Sequence, residues 1–134
     1  MKRTASAIWQ GTGKEGNGTL TTASRVLKDT AYDYKSRFED GTLTNPEELV
    51  AAAHAGCYSM KLSFVLGNAG FTPDKIETQC EVTFEDGAIT KSHLTVKATV
   101  PGIGVDKLTE CINEAKETCP ISRSLKGEIT VSQA

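Results

Sequence analysis

The fold is decided by residues 44–57, which read TNPEELVAAAHAGC. Thr44 or Asn45 supplies an N-cap for a helix, a proline suits its first turn, and the two carboxylates that follow favour the positive end of the helix dipole. The small residues after them allow very close packing against another element. We expect this helix to run to about Asn68. Lys61 is its only charge beyond the first turn, which indicates a central, largely buried helix.

The segments around this helix predict an α+β fold. Short strands separated by a glycine-rich turn precede it, and a hairpin of two strands, a second amphipathic helix, a helical turn and a last strand follow it. We expect one domain over residues 1–134, which is an ordinary length for a single core. The predicted strands are 5–9, 19–24, 31–38, 76–84, 89–100 and 128–131, and the later helical segments are 105–119 and 122–125.

Composition excludes several classes of partner. Apolar residues make up 38% of the chain and charged residues 24%, and the formal net charge is −2. The basic residues are scattered, so we expect neither nucleic-acid binding nor attraction to an anionic membrane. The basic start has no apolar run after it and is not a signal peptide. The apolar stretch Leu49–Leu66 is interrupted by His54 and Lys61, and we expect it to be too polar to span a bilayer. We therefore expect a cytoplasmic protein.

The four cysteines indicate free or redox-active thiols. No two of them form a CxxC pair, which argues against zinc ribbons and thioredoxin-like motifs. The two histidines have no paired motif, so we expect no metal site and no cofactor. Cys80 in an alternating strand and Cys111 beside a helical apolar stripe are expected to be packing residues.

Cys57 and Cys119 are the cysteines that could carry chemistry. A cysteine in a helix of small residues is by default a buried apolar filler. A functional Cys57 needs a depressed pKa, for which its own helix offers only His54, three residues earlier. If a short helix begins at Pro120, Cys119 lies at its N-cap, where the helix dipole would stabilise a thiolate. Packing at a helix end is the alternative for Cys119.

Two motifs together resemble the OsmC/Ohr family of osmotically inducible and organic hydroperoxide resistance proteins. Residues 44–57 resemble the family's first cysteine motif, and residues 119–122, which read CPIS, resemble its second. The segments 70–73 and 100–103 also fit, and the similarity covers essentially the whole chain. The sequence AAAHAGC is more similar to the OsmC branch than to the Ohr branch.

The resemblance implies a fold, a reaction and a set of residues. The expected fold is OsmC-like, with sheets wrapped around long central helices in an intertwined homodimer. The expected reaction is the thiol-dependent reduction of organic hydroperoxides in the response to oxidative stress. By position, Cys57 resembles the peroxidatic cysteine and Cys119 the resolving cysteine, while Arg37 and Glu47 match an arginine–glutamate pair. Without the resemblance, an arginine is usually a solvated surface residue. A glutamate in the first turn of a helix usually interacts with the helix dipole.

The implied mechanism has three stages. The Cys57 thiolate, tuned by the Arg37 guanidinium that Glu47 holds in place, attacks the peroxide and becomes a sulfenic acid. Cys119 then condenses with it to form a disulfide. An external dithiol, of the lipoyl type by family precedent, reopens the disulfide by exchange. An apolar entrance for organic peroxides would use Met60, Phe64, Leu66 and Phe71, although most of these side chains are expected to pack in the core.

Spacing along the long helix bears on the homodimer. Glu47 and Cys57 are ten positions apart, which is a rise of about 15 Å on a straight helix. No side chain bridges that distance. Glu47 therefore either lies in a segment that folds back or serves the cysteine of a second subunit, and the second option predicts shared active sites.

Two other functions stay open on the residues alone. A Cys–His hydrolase or transferase would use Cys57 with His54, although no orienting third group is evident. A noncatalytic dimeric binding protein would contain only inert, buried thiols.

Overall fold

The chain alternates strands and helices in the order predicted for its second half. A computed structural model describes residues 1–134, in which two compact units are Met1–Leu49 and Val50–Ala134. The combination of antiparallel hairpins with separate helices confirms the α+β class. The elements are β1 (Ala5–Gln10), β2 (Asn17–Thr22), β3 (Thr30–Tyr32), α1 (Tyr34–Phe38), α2 (Pro46–Asn68), β4 (Lys75–Glu85), β5 (Ala88–Thr99), α3 (Val105–Thr118), α4 (Pro120–Ser124) and β6 (Glu128–Gln133).

The first unit contains an antiparallel sheet in the order β1-β2-β3 and the short helix α1. The predicted strand over residues 31–38 is wrong beyond Tyr32, because the Asp33 carboxylate accepts a hydrogen bond of 2.7 Å from the Ser36 N–H and caps α1. Asp and Asn compete for backbone donors in this way wherever a helix starts. Arg37 consequently lies in a helix and not in a strand.

Helix α2 begins where the sequence predicts. The Asn45 side-chain oxygen accepts a hydrogen bond of 2.7 Å from the Glu48 N–H, which is an N-cap contact. The Asn45 amide also donates to the Ser36 carbonyl at 3.0 Å, so the same side chain ties the start of α2 to α1. The backbone of Gly41 also lies against Ser36, where a Cβ on residue 41 would collide with it.

The second unit is built on the sheet β4-β5-β6. Strands β4 and β5 form the predicted hairpin, and β6 pairs with β5 in parallel. The core consists of one face of α2 together with the inner faces of β5 and α3. Fully buried side chains include Tyr58, Leu62 and Leu66 from α2, Leu94 from β5 and Ala115 from α3.

Only one face of α2 is covered in the single chain. Its buried residues lie at helical spacing on one side, while Met60 and Phe64 on the other side are 66% and 64% exposed. The expectation of a largely buried helix is therefore wrong for the chain by itself. Small residues such as Gly56 also lie on the uncovered side, and a Cβ at Gly56 would meet nothing within 4 Å.

Helix α2 also has the length and composition of a membrane span, with 23 residues and a window of mean hydropathy 1.3. The expectation that its apolar stretch is too polar to span a bilayer is thus wrong on these two measures, because the alanines and leucines outweigh His54 and Lys61. One such helix is weak evidence for a membrane protein, since the core helix of a soluble protein passes the same test.

Replacing Asn45 by alanine should lower the free energy of unfolding by about 1–2 kcal/mol, because the cap and the bond to Ser36 are both lost. Urea denaturation measures the change. Asn45→Asp is the matched control, since it keeps the accepting oxygen and loses only the amide donor, and its loss should be smaller. Equal losses in the two variants would contradict the capping role.

Candidate active site

The two cysteines singled out by sequence lie next to each other. Cys57 is on α2 and Cys119 is the residue between α3 and α4, 62 positions later, yet their sulfur atoms are 3.3 Å apart. Both are free thiols, with Cys119 fully buried and Cys57 partly exposed. The Cys119 thiol donates towards the Cys57 sulfur. This contact is short enough for the two sulfurs to react with each other after a small movement.

The surroundings of Cys57 in the single chain do not by themselves favour its thiolate. Burial raises the pKa of the Cys57 thiol, and this effect outweighs the lowering by a hydrogen bond from the Ile121 N–H. Cys119 beside it also acts to raise the pKa, and the Lys61 ammonium opposes this weakly. Positive charge beyond that of Lys61 would favour the Cys57 thiolate.

Helix α4 begins at Pro120 with Cys119 at its N-cap, as predicted. A backbone N–H in its first turn acts on Cys57, however. The Cys119 side chain makes no capping hydrogen bond. The N–H of Ile121, in the first turn of α4, instead lowers the pKa of Cys57. The sequence predicts an effect of this helix start on Cys119, whereas the donor in its first turn acts on Cys57.

A cavity of about 270 Å³ opens at Cys57, lined by Met60, Lys61, Phe64 and Pro120. Met60 and Phe64 were expected at an apolar entrance. Leu66 and Phe71 are not in its wall: Leu66 is fully buried in the core and Phe71 packs against it, which is the use expected for most of these side chains.

Arg37 and Glu47 form the ion pair that the family resemblance implied. The Arg37 Nε and Nη2 groups donate to the Glu47 Oε1 atom at 3.0 and 2.9 Å, and Nε also reaches Oε2 at 3.3 Å. Glu47 is largely buried and Arg37 is partly exposed, at 14% and 39% of their side-chain surfaces. Such a fork on a carboxylate fixes the plane of the guanidinium group.

Arg37 also lines a cavity of about 500 Å³ in the unit Met1–Leu49. Aromatic side chains form much of its wall, among them Trp9, Tyr32, Tyr34 and Phe38. The structure thus describes two clusters, one with the arginine–glutamate pair in the first unit and one with the sulfur pair in the second.

His54 belongs to a buried polar network that the sequence did not reveal. Its Nδ1 atom lies 2.7 Å from the Ser92 hydroxyl of β5, and its Nε2 atom lies 2.8 Å from the Ser122 hydroxyl of α4. All three side chains are buried, and the Cys80 sulfur lies 3.2 Å from the Ser92 oxygen. Because both ring nitrogens are occupied by serines, His54 does not act as a base towards Cys57. This arrangement argues against the Cys–His hydrolase.

One signal in the sequence could have placed His54 in the core. It precedes Tyr58 by four positions and Leu62 by eight, which is the spacing of the buried face of α2. Its partners, 38 and 68 positions away, carry no recognisable motif. Cys80 and Cys111 pack as expected, the first against the core and the second within it.

Comparisons with known proteins agree with one another. A sequence model of the family described as "OsmC-like protein" matches residues 39–133. The Escherichia coli protein named peroxiredoxin OsmC is 45% identical over 98% of this chain and 94% of its own length.

Structural likeness extends over the whole chain. Bacillus subtilis organic hydroperoxide resistance protein OhrB is 30% identical in sequence over 85% of each chain, and its crystal structure matches with a TM-score of 0.64 over 97% of this chain and 96% of that one, at 28% identity. An OsmC-like protein from Vibrio cholerae has a TM-score of 0.74 at 14% identity, covering 100% of this chain and 99% of that one.

The buried imidazole should make stability depend on pH. Burial lowers the pKa of His54 from its ordinary value of 6.5, so below that pH the unfolded chain binds a proton that the folded chain resists. The free energy of unfolding should therefore fall as the pH is lowered through this range. Urea denaturation at pH 8 and pH 5.5 checks the sign.

His54→Gln is the control for this experiment, because it removes the titrating group and leaves His93 in place. The wild-type protein should lose more stability than the variant between the two pH values. An equal loss in both proteins would contradict a buried, neutral His54.

Proposed function

The chain belongs to the OsmC-like protein family, and on that premise we propose that it reduces organic hydroperoxides to alcohols as part of the defence against oxidative stress. Its membership in the OsmC/Ohr group agrees with the resemblance of its two cysteine motifs. The relatives named peroxiredoxin and organic hydroperoxide resistance protein support a cysteine-based peroxidase. The observation that carries the assignment of residues is the 3.3 Å contact between the Cys57 and Cys119 sulfurs.

The proposed first step consumes the peroxide. The Cys57 thiolate attacks the terminal oxygen of the hydroperoxide, so that an S–O bond forms and the O–O bond breaks. The departing alkoxide takes a proton and leaves as the alcohol, and Cys57 becomes a sulfenic acid. The cavity at Cys57, with Met60 and Phe64 in its wall, suits an organic group better than it suits hydrogen peroxide.

The proposed second step uses the neighbouring cysteine. The Cys119 sulfur attacks the sulfenic sulfur, an S–S bond forms, and the oxygen leaves as water. A disulfide bond is about 2.05 Å long, so the sulfurs need to approach by roughly 1.2 Å from their contact in the reduced chain. An external dithiol, of the lipoyl type, then reopens the bond by exchange and leaves as its own disulfide.

Activation of Cys57 is assigned to Arg37. Burial raises the pKa of Cys57 within the single chain, so a permanent cation is needed to favour the thiolate. Arg37 is the cation whose orientation is fixed, since Glu47 holds its Nε and Nη2 groups. Glu47 also cancels part of the positive field of Arg37, so its role is to orient the guanidinium group.

We assign the working form to a homodimer in which two chains share each site. Glu47 and Cys57 lie ten positions apart in the same helix, which corresponds to a rise of about 15 Å. The uncovered side of α2, with Gly56, Met60 and Phe64, is a surface that a second copy would bury. Arg37 and Glu47 of one chain would then serve the cysteines of the other.

We also propose a single domain and a cytoplasmic location. A relative aligned over 98% of the chain supports one OsmC-like domain over residues 1–134, made of the two compact units. A cytoplasmic location is the proposal that fits a thiol enzyme with four unpaired cysteines.

One equivalent of cumene hydroperoxide should remove two thiols from the reduced protein, and a dithiol should then restore them. Cys57→Ser should abolish peroxide consumption, because the attacking sulfur is gone. Cys119→Ser should still consume one equivalent but should accumulate the sulfenic acid and lose turnover with the dithiol. A thiol-reactive dye and a peroxide assay measure both quantities.

Cys111→Ser is the matched control for these variants, since Cys111 is buried in the core away from the sulfur pair. It should keep both the loss of two thiols and turnover. Peroxidase activity in Cys57→Ser would refute the assignment of the attacking residue.

The dimer is tested by enlarging Gly56. Gly56→Leu adds bulk where the single chain leaves open space, so the chain should still fold. The wild-type protein should have twice the 14.3 kDa mass of the chain by light scattering, and the variant should shift towards the single mass. Val105→Glu, at a position that is 80% exposed on α3, should leave the dimer intact. A wild-type protein of single mass would contradict the shared site.

A further inference from the structure

We propose that His54 is a positioning residue for the redox step, which holds Cys119 and the Ile121 N–H against Cys57 through its hydrogen bond to Ser122. This inference rests on the proposed function and extends it to a residue that touches neither sulfur nor substrate. The short helix α4 and its N-cap residue carry both groups that act on Cys57.

Helix α4 cannot hold its own position. It has five residues, and a helix of that length is not stable without contacts to the rest of the protein. The hydrogen bond between His54 Nε2 and the Ser122 hydroxyl, at 2.8 Å, is a buried side-chain contact that ties α4 to α2. Ser122 is 8% exposed, and the neighbouring Ile121 packs against the core.

The position of α4 determines what Cys57 meets. Cys119 is the N-cap residue of α4, and its sulfur lies 3.3 Å from the Cys57 sulfur. The Ile121 N–H in the same turn is the donor that lowers the pKa of Cys57. His54 lies on α2 three positions before Cys57, so the bond joins the two helices beside the sulfur pair.

His54 also has a fixed orientation, which a packing residue would not need. Its other nitrogen, Nδ1, lies 2.7 Å from the Ser92 hydroxyl on β5. A neutral imidazole donates from one nitrogen and accepts at the other, so the two serines satisfy the whole ring. Burying an imidazole costs free energy that an apolar side chain would avoid. In exchange, the two hydrogen bonds fix the orientation of the ring towards Ser122.

Two pairs of variants separate positioning from packing. Ser122→Ala removes the bond to α4, and Ser92→Ala removes the equivalent bond to β5. The terminal amide of glutamine lies where Nε2 of a histidine lies, and that of asparagine lies where Nδ1 lies. Either amide can donate or accept, so His54→Gln keeps the bond to Ser122 and His54→Asn keeps the bond to Ser92. Each variant therefore loses one buried hydrogen bond. Ser122→Ala and His54→Asn lose the bond to α4, and Ser92→Ala and His54→Gln lose the bond to β5.

The readout is formation of the Cys57–Cys119 disulfide in the reduced full-length protein with diamide, which accepts two electrons and two protons from the thiols. Ser122→Ala and His54→Asn should slow this step about tenfold, the equivalent of one ordinary hydrogen bond. Ser92→Ala and His54→Gln should stay within about twofold of wild type. In the slowed variants, iodoacetamide should alkylate Cys57 with its pH profile moved to higher pH, because the Ile121 donor is displaced.

Equal slowing by Ser92→Ala and Ser122→Ala, or no slowing by either, would overturn the positioning role. His54→Asn and His54→Gln give the same comparison if a serine variant does not fold. Because diamide replaces the peroxide, a failure of the proposed function is seen separately, as a wild-type protein that forms the disulfide with diamide but not with cumene hydroperoxide.

Discussion

The contact between the sulfur atoms of Cys57 and Cys119, 3.3 Å long, is the constraint on which the site depends. It requires that two segments 62 positions apart in the chain meet, and that neither sulfur is pulled away by another partner. Helix α2, which has one buried face, provides one sulfur. The junction of α3 and α4 provides the other, at a point where Pro120 makes the chain restart its helix.

Burial brings the sulfurs together and at the same time opposes their reaction. A half-buried thiol holds its proton more firmly, and in the single chain the Ile121 N–H and the Lys61 charge only partly offset this effect at Cys57. The arginine with a fixed direction lies in the other compact unit, paired with Glu47. In the proposed homodimer, Arg37 of one chain would favour the Cys57 thiolate of the other, and the second chain would cover the exposed face of α2.

Local signals in the sequence predicted the elements and missed what joins them. Asn45 and the proline after it marked the start of α2, and strand alternation gave the β4–β5 hairpin. Asp33 was missed as a cap, so α1 was predicted as strand. The sulfur pair came from family resemblance and not from spacing. His54 and Ser122 could not be paired, because no periodicity connects residues 68 positions apart.

Peptide mapping by mass spectrometry, after the reduced protein is treated with one equivalent of an organic hydroperoxide, tests whether Cys57 and Cys119 form the disulfide. We expect one cross-linked peptide pair that contains Cys57 and Cys119 and is lighter by two hydrogens, with Cys80 and Cys111 still reduced. A Cys57 oxidised to sulfinic acid while Cys119 stays free, or a disulfide that involves Cys80, would contradict it.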